Sequence, residues 1–210
     1  FIIIILYWNR VLAQSRQRTQ ATLAQLHSLQ QDLHEKNRVL EQMALTDQLT
    51  GLANRMQLDT VLAQELRQIS LQPFGLILLD LDHFKQVNDT YGHPVGDQVL
   101  AAVAELLRKN IRASDTVGRW GGEEFLVVCP NTQAEGVLKV AEHLRLQIAA
   151  HRFPGVGQQT ASLGVTVCRP QDTMQTLMAR ADTALYQAKH AGRNSVALSC
   201  PNGLKPIGNL

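Results

Sequence analysis

Asp115-Thr116-Val117-Gly118-Arg119-Trp120-Gly121-Gly122-Glu123-Glu124-Phe125-Leu126-Val127-Val128-Cys129 is the stretch on which the fold turns. The apolar run from Phe125 reads as a strand, and the spacing predicts two strands, at about 115–119 and 124–129, on either side of Gly121-Gly122. A Gly-Gly pair between strands marks a tight turn, because glycine reaches positive φ without steric cost. Glu123 and Glu124 then stand at the mouth of a hairpin. Carboxylates crowded beside such an opening point to a divalent metal ion.

A second acidic cluster sharpens this reading. Phe74 to Leu79 is a continuous apolar run, a buried strand by pattern, and it ends in Asp80-Leu81-Asp82-His83-Phe84-Lys85. Carboxylates at the end of a buried strand, next to a lysine, suit a metal ion and a polyphosphate. Asn88 and then Gly92-His93-Pro94-Val95-Gly96-Asp97 follow. With Thr46-Asp47-Gln48-Leu49-Thr50-Gly51-Leu52-Ala53-Asn54-Arg55 before them, Arg119 to Phe125 behind, and Ala181-Asp182-Thr183-Ala184-Leu185-Tyr186-Gln187-Ala188-Lys189 running on to Gly192-Arg193-Asn194, there are five blocks in one order. Over about 45–199 the chain resembles the GGDEF domain of diguanylate cyclases, in its GGEEF variant.

The resemblance implies an α/β fold. It is a ferredoxin-like palm of nucleotidyl cyclase type, with a mainly antiparallel sheet, helices on its faces and a long helix before it. It also implies GTP as substrate, 3′,5′-cyclic di-GMP as product and Mg²⁺ as cofactor, with Mn²⁺ as an alternative. Asp80, the carbonyl of Leu81, Glu123 and Glu124 match the metal positions, and the two glutamates are also the candidate catalytic groups. Lys85 and the amides around Asp82, His83 and Phe84 match the triphosphate contacts, and Lys189 with Arg193 match the remaining phosphate clamp. Outside these motifs, Lys189 and Arg193 would read as a solvated cationic helix end. Asn88 and Asp97 match the guanine contacts. A carboxylate accepts guanine's N1–H and N2 amine together, whereas adenine would leave it unpaired. His93 either lines the same pocket or stabilises its turn. Arg112 and Asp115 form an R-x-x-D at the spacing of the family's secondary product site; in isolation such a motif is a surface ion pair. A catalytically silent module that binds GTP or cyclic di-GMP is the alternative function.

Composition bounds the rest. The 210 residues are 45% hydrophobic and 18% charged, which suits one domain with an appendage. A net charge of +2 gives no case for nucleic-acid binding. The seven His show no metal-ligand spacing. Cys129, Cys168 and Cys200 form no C-x-x-C, and reduced buried thiols fit a cytoplasmic domain.

The chain opens on Phe1-Ile2-Ile3-Ile4-Ile5-Leu6-Tyr7-Trp8, followed by Arg10, Arg16 and Arg18. Six apolar residues are far short of the about 20 a membrane helix needs. Residues 1–8 read as the end of such a helix leaving the bacterial inner membrane on its cytoplasmic side, with a stray apolar end or an interfacial anchor as the alternative. Residues 9–45 lack Gly and Pro, and Leu12, Leu26, Leu33 and Leu40 share one heptad phase. The second seam, Leu23, Gln30, Asn37 and Ala44, is largely polar, so a marginal parallel coiled coil and a homodimer are expected, with a single amphipathic helix packed on its own domain as the alternative. The catalytic domain is placed at 46–200, with Asp47 expected to pair with Arg55, and 201–210 read as a disordered tail. Within the domain, helices are expected at 55–70, 84–91, 94–110, 132–151 and 173–190, and further strands at 74–80, 159–167 and 195–199.

Overall fold

The computed structural model describes residues 45–69 and 72–199, the pair Lys205–Pro206, and, before Leu45, positions 10, 20, 25, 27, 29–31, 33 and 36. The chain divides into two units, Phe1–Ala44 and Leu45–Leu210. In the first unit every described position is helical and exposed. The expected membrane-helix end at 1–8 lies outside the described residues, as do most of the linker at 9–45 and most of the tail at 201–210. Among the described residues, no helix is long and apolar enough to cross a membrane.

The second unit opens with a turn closed by its own side chains. The Asp47 carboxylate accepts the Thr50 N–H at 2.9 Å and its hydroxyl at 2.7 Å. Asn54 caps α1 (Arg55–Gln68) by accepting the Gln57 N–H at 3.1 Å. There follow β1 (Gly75–Leu81), α2 (Phe84–Tyr91), α3 (His93–Asn110), β2 (Thr116–Arg119), β3 (Glu124–Cys129), α4 (Ala134–Ala150), β4 (Arg152–Phe153), β5 (Gly157–Gln158), β6 (Ala161–Val167), α5 (Met174–His190), β7 (Val196–Leu198) and β8 (Lys205–Pro206).

The main sheet has the order β2-β3-β1-β6-β7-β8. β1 is buried along its whole length, as its unbroken apolar run requires of a central strand. It pairs antiparallel with β3 on one side and β6 on the other. Only β6 and β7 are parallel among the described pairs, because α5 provides the crossover that parallel neighbours need. The fold is therefore the expected α/β arrangement with a mostly antiparallel sheet. The small β4–β5 hairpin was not expected; two-residue strands carry no alternation to read. Of the supposed tail, Lys205–Pro206 forms a short strand beside β7.

Alternation along β1 sorts the core into two layers. Ile77, Leu79 and Leu81 pack with Phe84, Val103 and Ile148 on the face covered by α2, α3 and α4. Leu76 and Leu78 pack with Leu58, Leu62, Leu177 and Leu185 on the face covered by α1 and α5. Asp80 continues this second set, so its carboxylate emerges on the α5 side at the end of the strand.

Candidate active site

The register of the sheet builds the centre of the site. Asp80 lies opposite Glu124 on β3 and opposite Ser162 on β6, so these three side chains share one face in a row. The Lys189 ammonium, from the last turn of α5, reaches over the sheet and lies 2.8 Å from Asp80 Oδ1. That close seating depends on Gly164: a β-carbon there would sit 2.3 Å from the Ala181 carbonyl oxygen and the Leu185 nitrogen of α5. Lys189 is thus drawn into the site rather than left on a solvated helix end.

Electrostatics in this corner are adverse to charge. Burial pushes the Asp80 carboxyl above its ordinary value, against the pull of Lys189, and the Asp82 charge adds to the rise. Glu123 and Glu124 are both raised by burial first and by the Asp80 charge second. Asp182 raises Glu124 further, while Lys189 and Arg55 oppose it. Three carboxylates held together with one bonded ammonium favour an added cation, and oxygen donors suit a hard divalent ion. Among the described residues, no three His, Cys, Asp or Glu side chains close on one point. A bound ion would therefore complete its shell with a carbonyl such as that of Leu81 and with water, in the manner usual for Mg²⁺.

Glu123 stands just before β3, in the glycine turn, whereas Glu124 is the residue that faces Asp80 across the strands. The turn is braced by a residue that motif reading passed over. Arg119 donates from Nε to the carbonyls of Gly121 and Gly122, both at 3.2 Å, and from Nη2 to Gly122 at 2.7 Å. Its Nη1 lies 3.3 Å from Asp47 Oδ2. This corrects the expected Asp47–Arg55 pair. Arg55 instead stacks on Trp120, 4.5 Å from the ring centroid. Burial opposes ionisation of Asp47, but the Thr50 hydrogen bonds and the Arg119 guanidinium hold its pKa below the usual value.

The same end of β1 leads on to the expected phosphate cradle. The Asp82 N–H donates to the Thr160 carbonyl at 2.9 Å, so this amide belongs to the sheet and is removed from the expected set. His83 follows at φ +58°, a left-handed conformation uncommon for a residue with a β-carbon, and α2 begins immediately after it. Phe84 is buried in the core while Lys85 is exposed beside it. On α2, Asn88 leans over Gly96 of α3; a β-carbon on Gly96 would lie 1.9 Å from Asn88 Oδ1. Asp97, the residue after Gly96, is exposed, as is His93 one turn earlier. Arg193 lies beyond α5 in an exposed turn, close enough for its charge to be felt at Asp80.

Arg112 and Asp115 lie apart from this centre. Asp115 is buried and accepts the Arg112 N–H at 3.2 Å, and the Ser114 hydroxyl donates to it at 3.3 Å. The motif is therefore a closed turn beside a depression of about 540 Å³ that Arg108, Arg112 and Gly51 help to line. Cys129 and Cys168 are buried, and burial pushes their thiols up to about 12 and about 11, which leaves them chemically inert at neutral pH.

The family described as diguanylate cyclase, GGDEF domain, matches residues 44–195. The diguanylate cyclase DgcP of Pseudomonas aeruginosa is 41% identical over 190 residues, covering 87% of this chain and 28% of that protein. The response regulator PleD of Caulobacter vibrioides is 40% identical over 163 residues, covering 74% of this chain and 36% of that protein. The chain thus spans between a quarter and two-fifths of the length of these relatives. Among solved structures, the coiled coil and GGDEF domain of DgcB from Caulobacter crescentus, in complex with c-di-GMP, superposes with a TM-score of 0.80 at 32% identity, covering 85% of this chain and 98% of that one. The active GGEEF domain of a diguanylate cyclase from Vibrio cholerae gives a TM-score of 0.67 at 35% identity, covering 72% and 99%.

Proposed function

Because the chain belongs to the GGDEF family of diguanylate cyclase domains, we propose that it condenses two GTP into 3′,5′-cyclic di-GMP, releasing two pyrophosphates. The observation that carries this reading is the row of Glu124 and Asp80 on neighbouring strands with Lys189 bonded to Asp80. Asp80, the Leu81 carbonyl, Glu123 and Glu124 are the groups proposed to hold Mg²⁺, with Mn²⁺ as a substitute. When bound, the ion supplies charge neutralisation at the α-phosphate and lowers the pKa of the attacking hydroxyl.

Each side chain then has a stated task. Lys85, Lys189 and Arg193, with the His83 and Phe84 amides, hold the triphosphate. Lys189 exchanges its bond to Asp80 for one to phosphate when the nucleotide enters. Asn88 and Asp97 read the guanine edge, with His93 beside them. Glu123 and Glu124, poised toward protonation by burial and by Asp80, are suited to take the proton of the 3′-hydroxyl. One domain presents one such set, so the second GTP comes from a second copy, and the active species is a homodimer. The Arg112–Asp115 turn is proposed to bind the product as a feedback inhibitor. The apolar start followed by Tyr7, Trp8 and arginines supports a tether to the inner membrane, with the catalytic domain on the cytoplasmic side.

The direct test is incubation of the chain with GTP and Mg²⁺ and identification of the nucleotides formed. Cyclic di-GMP and pyrophosphate are expected. Tight GTP binding with no new phosphodiester would make the chain a binding module instead.

A further inference from the structure

The Asp82 carboxylate has no place in the expected contact sets, yet it is fully hydrogen-bonded beside the site. It is 3% exposed. Its Oδ1 accepts the Ser162 hydroxyl at 2.7 Å, and its Oδ2 accepts the Thr160 hydroxyl at 2.7 Å and the Asn194 N–H at 3.0 Å. The Gln159 side chain donates to its carbonyl. Of the three partners of its carboxylate, two are on or beside β6; the third is in the turn after α5, 112 residues away in sequence.

That turn is strained. Arg193 and Asn194 both have positive φ, +64° and +42°, although both carry a β-carbon. Such residues persist in this conformation only where their surroundings over-determine it. Three sets of contacts do so here. The Arg193 N–H donates to the Ala188 carbonyl at 3.2 Å, and Arg145 donates to the Asn194 carbonyl at 3.3 Å and to its Oδ1 at 2.8 Å. The bond from the Asn194 N–H to Asp82 is the one that ties the turn to the end of β1, two residues from Asp80.

We infer that Asp82 is a positioning residue: its carboxylate, fixed by Thr160 and Ser162, holds the turn that aims Arg193 at the triphosphate bound between Asp80 and Lys85. The inference rests on the nucleotide reading above and adds to it the group that sets the geometry of the clamp. A residue serving only the fold would lower stability when altered and leave nucleotide affinity of the folded chain unchanged.

The test is a double-mutant cycle read by binding. The parent chain, Asp82→Asn, Arg193→Ala and the double variant are titrated in Mg²⁺ with the non-reactive α,β-methylene analogue of GTP, and separately with GMP. Asp82→Asn keeps the shape but replaces an acceptor oxygen by an amide donor, opposite groups that themselves donate. Its affinity for the triphosphate analogue should fall roughly tenfold, the scale of one lost charge-assisted hydrogen bond, with GMP affinity within about twofold of the parent. In the Arg193→Ala background the same change should add almost nothing. Ser162→Ala removes one of the bonds that fix the carboxylate. It should give a smaller loss of the same pattern, and it carries the test if Asp82→Asn does not fold. A parent that binds the analogue, together with folded variants that bind it equally well, overturns the inference alone. So does an equal loss with and without Arg193. A parent that does not bind the analogue overturns the nucleotide reading itself, and the inference with it.

Discussion

Glu124 occupies a position that a carboxylate tolerates poorly, opposite Asp80 and near Asp182. Its raised pKa means that the folded chain holds a proton more readily than the unfolded chain does. The charged form therefore destabilises the metal-free fold at neutral pH. The penalty fades as pH falls through the raised folded value and is gone below the ordinary value of 4.5. Asp80 and Glu123 act in the same direction. Asp47, with its lowered pKa, acts oppositely: its contribution is present above the ordinary value of 3.8 and is lost as pH falls through the lower folded one. Glu124→Gln should accordingly raise metal-free stability at pH 7 by about 0.5–2 kcal/mol, the usual gain when a strained functional site is relieved. The gain should shrink on going from neutral pH toward pH 5, and turnover should be lost. Thermal unfolding in a chelator across that range is the measurement, and an unchanged or lower midpoint at pH 7 would count against the crowding argument. Asp97→Ser should erode the preference for GTP over ATP by about tenfold or more, because a carboxylate left unpaired by adenine costs about 1–3 kcal/mol. Competition assays with the two triphosphates read this directly, and an intact preference would move base recognition to another residue. At this scale motif spacing marked candidate residues by type, Asp80 and Glu124 among them. It hid how they pair. Asp47 meets Arg119, 72 residues away, rather than the nearer Arg55, because an isolated bridge between Ala53 and Gly118 brings that loop against β2. No local pattern encodes that bridge.

At the scale of elements, the apolar runs were sufficient to find α1 to α5 and the main strands, with boundaries within a few residues. Strand order was less accessible. β1 sits between β3 and β6, and nothing in its unbroken apolar run tells which strands flank it. Gly121-Gly122 marked the turn in the sequence, yet neither glycine there has the positive φ that the pair suggested, while others, Gly96 and Gly164 among them, let backbone and side chain approach closely. Gly96 makes room for Asn88, and Gly164 lets α5 rest on β6. Gly164→Ala should therefore cost about 1–3 kcal/mol of stability, the usual scale of overpacking a close contact. It should also weaken GTP binding, because Lys189 lies one turn beyond Leu185, the residue that would be displaced. Gly122→Ala is the matched control for stability, since an added methyl there meets nothing within 4 Å. Denaturant unfolding of both variants beside a nucleotide titration separates the cases. Equal stability of Gly164→Ala and the parent would mean that the helix is not seated as closely as the contact distances require.

For the whole molecule, the question is how two single-substrate domains come together. On the proposed reading, a domain that presents one GTP does no chemistry until a second presents its own, and tethering raises the local concentration of the second half-site without any new contact in the site. The heptad leucines of residues 9–45 make that segment the proposed tether. Leu33, one of the heptad leucines, is 62% exposed in the single chain, as is Leu29 at 61%. With polar residues filling most of the second seam, the association should be marginal rather than permanent. Rate per chain should then rise with protein concentration until dimerisation saturates. Replacing Leu26, Leu33 and Leu40 by polar residues should weaken self-association and lower activity in dilute solution, while leaving the affinity of each domain for GTP close to that of the parent. Fusing an unrelated parallel coiled coil in the same register should restore the rate. Sedimentation run beside the rate assay decides the matter: full activity of the substituted chain at concentrations where only monomers sediment would mean that the two nucleotide sites meet by a route independent of this helix.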